Sequence, residues 1–141
     1  MRLTRAADYA IRVMIHLATF APGDRVKRTE IVAASRCPEK FLSKVLQSLT
    51  RARLVTSYRG KSGGYELASA GRHASILEIV EALDGPIHLN ACTGPEPDCP
   101  LQPTCPAHHV WIEAQSALVG VLERAKIENL AGLESRIAQG A

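Results

Sequence analysis

The chain has 141 residues, of which 46% are hydrophobic and 22% are charged. A chain of this length forms one domain with a buried core, and its composition is not that of an intrinsically disordered protein. The sequence has neither a run of about 18 apolar residues nor an apolar N-terminal segment, so we expect no membrane span, no signal peptide and a cytoplasmic protein with reduced thiols.

The positive charge is concentrated in the first half of the chain. Residues 1–72 contain 14 Lys and Arg against 5 Asp and Glu, a net charge of +9, whereas residues 73–141 contain 3 against 9, a net charge of −6. A basic half of this kind is typical of a protein that binds the phosphate backbone of nucleic acid. Because basic surfaces can also be merely solvated, the charge supports this function only together with the pattern of elements.

The first predicted helix covers residues 5–20 and follows Thr4, which is a good N-cap. Its apolar residues recur at the spacing of one buried helix face. These residues are Ala10, Val13, Met14, Leu17 and Ala18. Asp8 and Arg12 are four residues apart on another face, and we expect them to form an ordinary helical salt bridge.

The next stretch predicts a helix, a turn and a second helix. Thr29 is expected to cap the helix over residues 30–35, Cys37 to lie partly buried in the turn, and Pro38 to take the first position of the helix over residues 39–51. The apolar face of this second helix consists of Phe41, Leu42, Val45, Leu46 and Leu49. Its other face is polar and basic, with Lys40, Ser43, Lys44, Gln47 and Arg51. In helix-turn-helix proteins such a helix enters the major groove of DNA, although a surface helix of any bundle can show the same pattern.

A β-hairpin is predicted directly after this helix. Residues 54–58 and 65–67 favour strands, and the turn of residues 59–64 between them is basic and rich in glycine. With Arg59 and Lys61 at its tip, the hairpin looks like the wing of a winged helix, in which arginine can enter the minor groove and lysine can neutralise phosphate. A glycine-rich nucleotide loop is the alternative, but the stretch lacks the strand-to-helix context and the GK[ST] ending of a P-loop.

Three more helices complete the predicted chain. Ser75 opens a capping box for a helix that ends near Asp84, a long helix is expected over residues 107–125, and a shorter one over residues 127–138. The long helix carries an apolar stripe that consists of Val110, Trp111, Ala114, Leu118, Val121, Leu122 and Ala125. A single small winged helix cannot cover a stripe of this length, so we expect the long helix to pair with a second copy. Packing against the chain's own first helix is the alternative.

A proline-rich loop before the long helix contains three of the four cysteines. Cys92, Cys99 and Cys105 are separated by six and five residues, and His108 follows after two more. Three thiols and an imidazole in one loop favour a soft-metal site, because thiolates select zinc or iron–sulfur centres over hard cations. A disulfide with one cysteine left over and three unpaired thiols are the alternatives, and no secretory context supports a disulfide framework. The spacing alone does not distinguish zinc from an iron–sulfur cluster.

Together these motifs resemble the Rrf2 family of winged-helix transcription regulators. The resemblance rests on MRLT at the start, on DYAIR, on the polar helix followed by ARLVTSYRGKSGGYEL, and on three cysteines before a long helix, and it covers residues 1 to about 130. It implies a mainly α fold with a small β-hairpin, in which a winged helix-turn-helix domain is joined to a long dimerisation helix. It also implies a homodimer that binds a double-stranded DNA operator and, in each subunit, an iron–sulfur cluster held by Cys92, Cys99 and Cys105.

The resemblance leaves two options for the fourth cluster ligand. IscR-like members use a histidine at the position of His108, which implies a 2Fe–2S cluster. NsrR-like members use an acidic residue in the first helix of the partner subunit, at the position of Asp8, which implies a labile 4Fe–4S cluster. The first gap between cysteines is one residue longer here than in those members, so the cluster type stays open. His109 lies about 100° further round the helix than His108, so only one of the two is expected to face the site.

The resemblance also implies a set of DNA contacts. This set consists of Thr4, Arg28, Lys40, Ser43, Lys44, Gln47, Arg51, Arg59 and Lys61. The polar helix would read bases and Arg59 would enter the minor groove. Ser43 stands where IscR-like members have a glutamate, so the DNA sequence that this protein reads need not be theirs.

These expectations describe a cluster-gated DNA-binding regulator that acts as a repressor. Residues 1–84 would bind DNA, residues 85–106 would hold the cluster, and residues 107–141 would form the dimerisation helix and a C-terminal helix. Nitric oxide, iron or cluster supply, or redox state would act through the cluster on operator affinity. Two alternatives stay open, a zinc-stabilised DNA-binding regulator without a cluster and an iron–sulfur carrier protein. We do not expect an enzyme, because the sequence shows no paired acid and base, nucleophile set or cofactor cradle beyond the cysteine loop.

Overall fold

Helices form most of the structure, and one β-hairpin follows the third of them. The structure is a computed structural model that describes residues 3–140. Met1, Arg2 and Ala141 lie outside the described residues, and the first two of these begin the MRLT motif. The helices are α1 (Arg5–Ala18), α2 (Arg28–Ser35), α3 (Glu39–Arg51), α4 (Ser69–Arg72), α5 (Ile76–Asp84), α6 (Ala107–Arg124) and α7 (Ile127–Ala138). The strands are β1 (Val55–Tyr58) and β2 (Gly64–Leu67), and a short 3₁₀ helix covers Ala91–Thr93. The predicted class, mainly α with a small β-hairpin, is confirmed.

Helix α1 is the centre of the core. Thr4 caps it as predicted, because its Oγ1 atom accepts a hydrogen bond from the Ala7 amide at 3.1 Å. The buried face of α1 consists of Ala6, Ala7, Ala10, Val13, Met14 and Leu17. This face contacts α2, α3, α5 and α7, so the helix-turn-helix and the C-terminal helix share one hydrophobic core.

The helix-turn-helix confirms one predicted helix and corrects the other. Helix α3 has the predicted bounds, Glu39–Arg51, but α2 begins at Arg28, and its N-cap is Lys27 rather than Thr29. The reason is that the Val26 backbone pairs with Tyr65, through hydrogen bonds of 2.8 and 2.9 Å, which keeps the chain extended until Lys27. Pro38 and Cys37 also differ from the prediction. Pro38 is the N-cap of α3 rather than its first helical residue, and Cys37 is fully buried rather than partly buried.

The hairpin is a two-stranded antiparallel sheet that begins four residues after α3. Val55 pairs with Leu67 at its base and Tyr58 with Gly64 at its outer end. Val55 and Leu67 are buried in the core, so the base of the hairpin is fixed while the turn between Tyr58 and Gly64 projects outward. We call residues 55–67 the wing and residues 59–63 its tip.

The C-terminal helices divide between the core and the surface. Ser75 and Glu78 form the predicted capping box of α5, with a hydrogen bond from the Ser75 amide to Glu78 Oε2 at 2.7 Å. Helix α7 packs on α1 and places Ile127 in the core, whereas α6 packs on α5 and has no buried residue. Among the described residues, no helix is long and apolar enough to cross a membrane.

Candidate nucleic-acid interface and cysteine cavity

The polar face of α3 points away from the core. Leu42, Val45, Leu46 and Leu49 are buried on its inner face, which forces the opposite face outward because a helix repeats every 3.6 residues. The side chains exposed there are Lys40, Ser43, Lys44, Gln47 and Arg51. The structure therefore presents these five predicted DNA contacts on one surface.

Arg28 of α2 forms hydrogen bonds with side chains of α3. Its guanidinium donates hydrogen bonds to Glu39 Oε2 at 2.9 and 3.0 Å and to Ser43 Oγ at 2.7 Å. The Arg28 side chain is 34% exposed and lines an open groove of about 640 Å³ together with Ser43, Gln47 and Arg51. Arg28 therefore fixes the Ser43 hydroxyl within the exposed face of α3 instead of projecting as an independent cation.

The wing tip supplies two further exposed cations, Arg59 and Lys61. Ser57 and Tyr65 of the wing line the same groove as α3, so the wing and α3 form adjacent walls of one surface. An exposed polar helix beside a basic hairpin can bind a DNA duplex through one groove and the neighbouring phosphates.

Thr4 and Asp8 lie at the start of α1 and already have partners within the chain. The Thr4 hydroxyl donates a hydrogen bond to Asp84 Oδ1 at 2.6 Å while it caps the helix. The Asp8 carboxylate forms the predicted salt bridge with Arg12 at 2.7 Å and is about half exposed. Asp8 does not line the cysteine cavity of its own chain.

The three loop cysteines line one cavity. Cys92 lies on the 3₁₀ helix, and Cys99 and Cys105 lie on the turns that precede α6; all three are half-buried and unbridged. The cavity measures about 330 Å³, and Trp111 of α6 forms part of its wall. Cys37 lies elsewhere, in the turn after α2, where burial raises the pKa of its thiol.

Gln115 of α6 attaches the 3₁₀ helix to the long helix. Its Oε1 atom accepts a hydrogen bond from the Leu89 amide at 3.0 Å, and its Nε2 atom donates to the Thr93 carbonyl at 3.3 Å. The sequence analysis missed this residue. A neutral amide one turn beyond Trp111 is the signal that could have indicated it.

The two adjacent histidines of α6 have different environments. His108 is half-buried and His109 is exposed, whereas the expectation that one of them faces the cluster site stays a prediction. Within residues 3–140, the buried Nδ1 atom of His108 has no hydrogen-bond partner. A buried nitrogen without a partner costs free energy, and coordination by a metal would satisfy it.

Three thiols and an imidazole form a donor set that zinc or an iron–sulfur cluster can use. No three His, Cys, Asp or Glu side chains of the described part of the chain lie close enough to hold one metal ion. A tetrahedral zinc site needs all ligands within about 2.0–2.3 Å of one ion, whereas cysteines that hold a cluster bind different irons. Cys92, Cys99 and Cys105 would hold such a cluster, whereas His108 does not line their cavity.

Comparison with known proteins places the whole arrangement in one family. The family model for Rrf2, described as an iron-dependent transcriptional regulator, matches residues 3–132. The Mycobacterium tuberculosis protein Rv1287, which carries the name of a helix-turn-helix transcriptional regulator, is 38% identical over 142 residues, which cover 99% of this chain and 88% of that protein. The helix-turn-helix transcriptional repressor NsrR of Streptomyces coelicolor is 30% identical over 131 residues, which cover 92% of this chain and 88% of the repressor.

A solved structure has the same fold. CymR, the global cysteine regulator of B. subtilis, is 26% identical and superposes with a TM-score of 0.75 over 94% of this chain and 98% of its own. The relatives from M. tuberculosis and S. coelicolor carry the names of transcriptional regulators and not of enzymes, in agreement with the prediction. The chain therefore belongs to the Rrf2 family of winged-helix transcriptional regulators.

Proposed function

We propose that this protein is an iron–sulfur cluster-dependent repressor that binds its DNA operator as a homodimer. One observation carries the proposal: three cysteines of one proline-rich loop line a single cavity whose wall includes Trp111 of the long helix α6. A bound cluster would supply iron that reacts with nitric oxide and oxidants and that depends on iron supply. Such a cavity, joined to a helix that is free to pair, can connect the state of the site to the geometry of a dimer.

Two contacts of α6 support this coupling. Trp111 is 40% exposed and lines the cavity. Gln115 bonds to Leu89, just before the 3₁₀ helix that carries Cys92, and to Thr93 at its end. Any change in the position of Cys92 therefore acts on α6 through side chains one turn apart. A change of about 1–3 kcal/mol in operator affinity is typical of coupling between two sites.

The exposed face of α6 supports a homodimer. Val110 and Val121 are 59% and 56% exposed and share one face, because eleven residues make about three helical turns. Apolar side chains that cluster in this way are normally buried. Leu133 and Ile137 of α7 are exposed as well. Pairing of α6 with its copy would cover this surface and relate the two α3 helices by a two-fold axis, as an operator with two half-sites requires.

The proposed DNA contacts are those of the exposed α3 face, the wing tip and the residues beside them. The set consists of Thr4, Arg28, Lys40, Ser43, Lys44, Gln47, Arg51, Arg59 and Lys61. Within it we assign base reading to Lys40, Ser43, Lys44 and Gln47. Arg28 acts by holding Ser43, and Arg59 and Lys61 contact the neighbouring backbone and minor groove.

We assign the fourth cluster ligand to His108. The support is its buried Nδ1 atom without a partner in the described residues, whereas Asp8 is already paired with Arg12. Neither residue lines the cavity of its own chain, so His108 would have to turn toward the cluster and Asp8 could reach it only from a second copy. His108→Ala should then release iron, and Asp8→Ala should leave the iron content unchanged. The reverse result would assign the role to Asp8 and a cluster shared across the dimer.

The experiment compares Cys99→Ala with Cys37→Ala. Both remove one thiol, but only Cys99 lines the cavity. Operator affinity is measured by band shift without oxygen, before and after iron is removed with a chelator. We expect chelation to change affinity in the wild type and in Cys37→Ala but not in Cys99→Ala. If all three proteins respond alike, the cavity does not gate DNA binding.

A further inference from the structure

The loop between α1 and α2 runs along one side of the wing. The Gly23 amide donates a hydrogen bond to Glu66 Oε2 at 2.9 Å, and Val26 and Tyr65 exchange two backbone hydrogen bonds. The loop is therefore joined to β2 at two points. These contacts hold the strands, but they do not reach the wing tip.

Two cationic side chains of the same loop do reach the tip. The Arg25 guanidinium carbon lies 3.6 Å from the centroid of the Tyr58 ring, and Arg25 Nη1 donates to the Ser62 carbonyl at 3.0 Å. Lys27 Nζ donates to the Lys61 carbonyl at 2.8 Å. Both cations thus end on backbone oxygens of the turn between the strands.

These contacts matter because a two-stranded hairpin is marginally stable by itself. The buried base of the wing is fixed by the core, but its tip has no core to pack on. Hydrogen bonds from charged donors are stronger than those from neutral ones, so the two contacts restrict the turn where it is least supported.

The same contacts bring four cations together around the tip. Arg25, Lys27, Arg59 and Lys61 are all exposed, and like charges in this arrangement repel one another in the free protein. A polyanion relieves that repulsion when it binds. The cluster therefore favours a DNA backbone beside the tip rather than an uncharged partner.

We infer that Arg25 and Lys27 are positioning residues that clamp the wing tip and thereby hold Arg59 and Lys61 in place for DNA. This inference rests on the wing contact with DNA that we propose above. The clamp acts through the turn, so its removal should matter only while the tip carries its cations.

The first experiment measures DNA affinity with the full chain, purified without oxygen, and a duplex that the protein selects from a random-sequence library. The clamp variants are Arg25→Gln and Lys27→Gln. The matched control is Arg53→Gln, which also removes one exposed cation from the basic half of the chain. We expect the dissociation constant to rise roughly 3- to 10-fold for each clamp variant, the size of an exposed cation–π contact or of a typical net hydrogen bond. The Arg53 variant should change it by less than about twofold. Equal effects of all three would overturn the clamp.

The second experiment repeats Arg25→Gln in a protein whose tip lacks its cations through Arg59→Ala and Lys61→Ala. If the clamp acts through the tip, the added loss falls below about twofold, because the substitutions are then not independent. An undiminished loss would mean that Arg25 binds DNA by itself and would overturn the inference. If the protein with only Arg59→Ala and Lys61→Ala binds DNA as tightly as the wild type, the result would instead refute the proposed contact of the wing with DNA.

Amide hydrogen exchange in the absence of DNA tests the clamp separately from the DNA interface. Exchange of residues 59–63 should accelerate in Arg25→Gln and in Lys27→Gln, and it should not change in Arg53→Gln. Unchanged exchange at the tip in both clamp variants would overturn the inference whatever the DNA measurements give.

Discussion

Substitution of Gly64 by alanine tests how tightly the wing is held against the loop before α2. Gly64 has a φ of +147°, and a β-carbon added to it would lie 2.7 Å from the carbonyl oxygen of Val26. The new methyl group must therefore push Val26 away or distort the start of β2. Backbone strain of this kind costs about 1–3 kcal/mol, and loss of a hydrogen bond between Val26 and Tyr65 adds about 1 kcal/mol. We expect the free energy of unfolding to fall by about 2–4 kcal/mol and Tm to fall by roughly 6–15 °C.

Gly60 supplies the matched control. It also has a positive φ, +90°, but a β-carbon there would meet no atom within 4 Å. Gly60→Ala should therefore cost only the backbone strain, about 1 kcal/mol. Both variants are measured by thermal and urea unfolding at equal protein concentration, because dimerisation makes Tm depend on concentration. Equal losses for the two variants would refute the argument that close approach of Val26 requires glycine at position 64.

Three further predictions concern the wing, the cysteine loop and α5. The hydrogen bond from the Tyr58 hydroxyl holds the pKa of the Glu66 carboxyl below its usual value. The ionised carboxylate therefore stabilises the fold above the ordinary pKa of about 4.3, and this stabilisation is lost as the pH falls from there through the lowered pKa. Glu66→Gln should flatten that acid loss in unfolding titrations, and an unchanged pH profile would contradict this role of Glu66. Gln115→Leu should reduce the iron retained after purification without lowering Tm by more than about 2–4 °C, and full iron retention would refute a role for this amide in holding Cys92. Ser75→Ala removes the N-cap of α5 and should cost about 1 kcal/mol in urea unfolding, a loss that would be absent if Glu78 alone caps the helix.

Elements with a strong local pattern could be predicted from the sequence. The bounds of α3 and α7 are as predicted because their apolar residues repeat at helical spacing over 13 and 12 residues. The capping box at Ser75 is a short-range signal and is confirmed as well. Helix α4 was not predicted, since its four residues, Ser69–Arg72, are too few to show a period and their conformation depends on packing.

Features that depend on distant contacts could not be predicted. Thr29 has the chemistry of an N-cap, but the pairing of Val26 with Tyr65 determines where α2 begins. In the same way, the sequence predicted Arg28 as a DNA contact but could not predict its hydrogen bond to the Ser43 hydroxyl. The cysteine spacing predicted a common site, and the structure places the three thiols around one cavity.

The most direct test of the central claim is a visible absorption spectrum of the protein purified without oxygen and then supplied with iron and sulfide, together with assays for iron, sulfide and zinc. We predict a brown protein with matching iron and sulfide contents, and loss of both in Cys99→Ala but not in Cys37→Ala. A colourless protein that contains stoichiometric zinc, or one that binds no iron after reconstitution, would contradict the proposal that the cysteine cavity holds an iron–sulfur cluster.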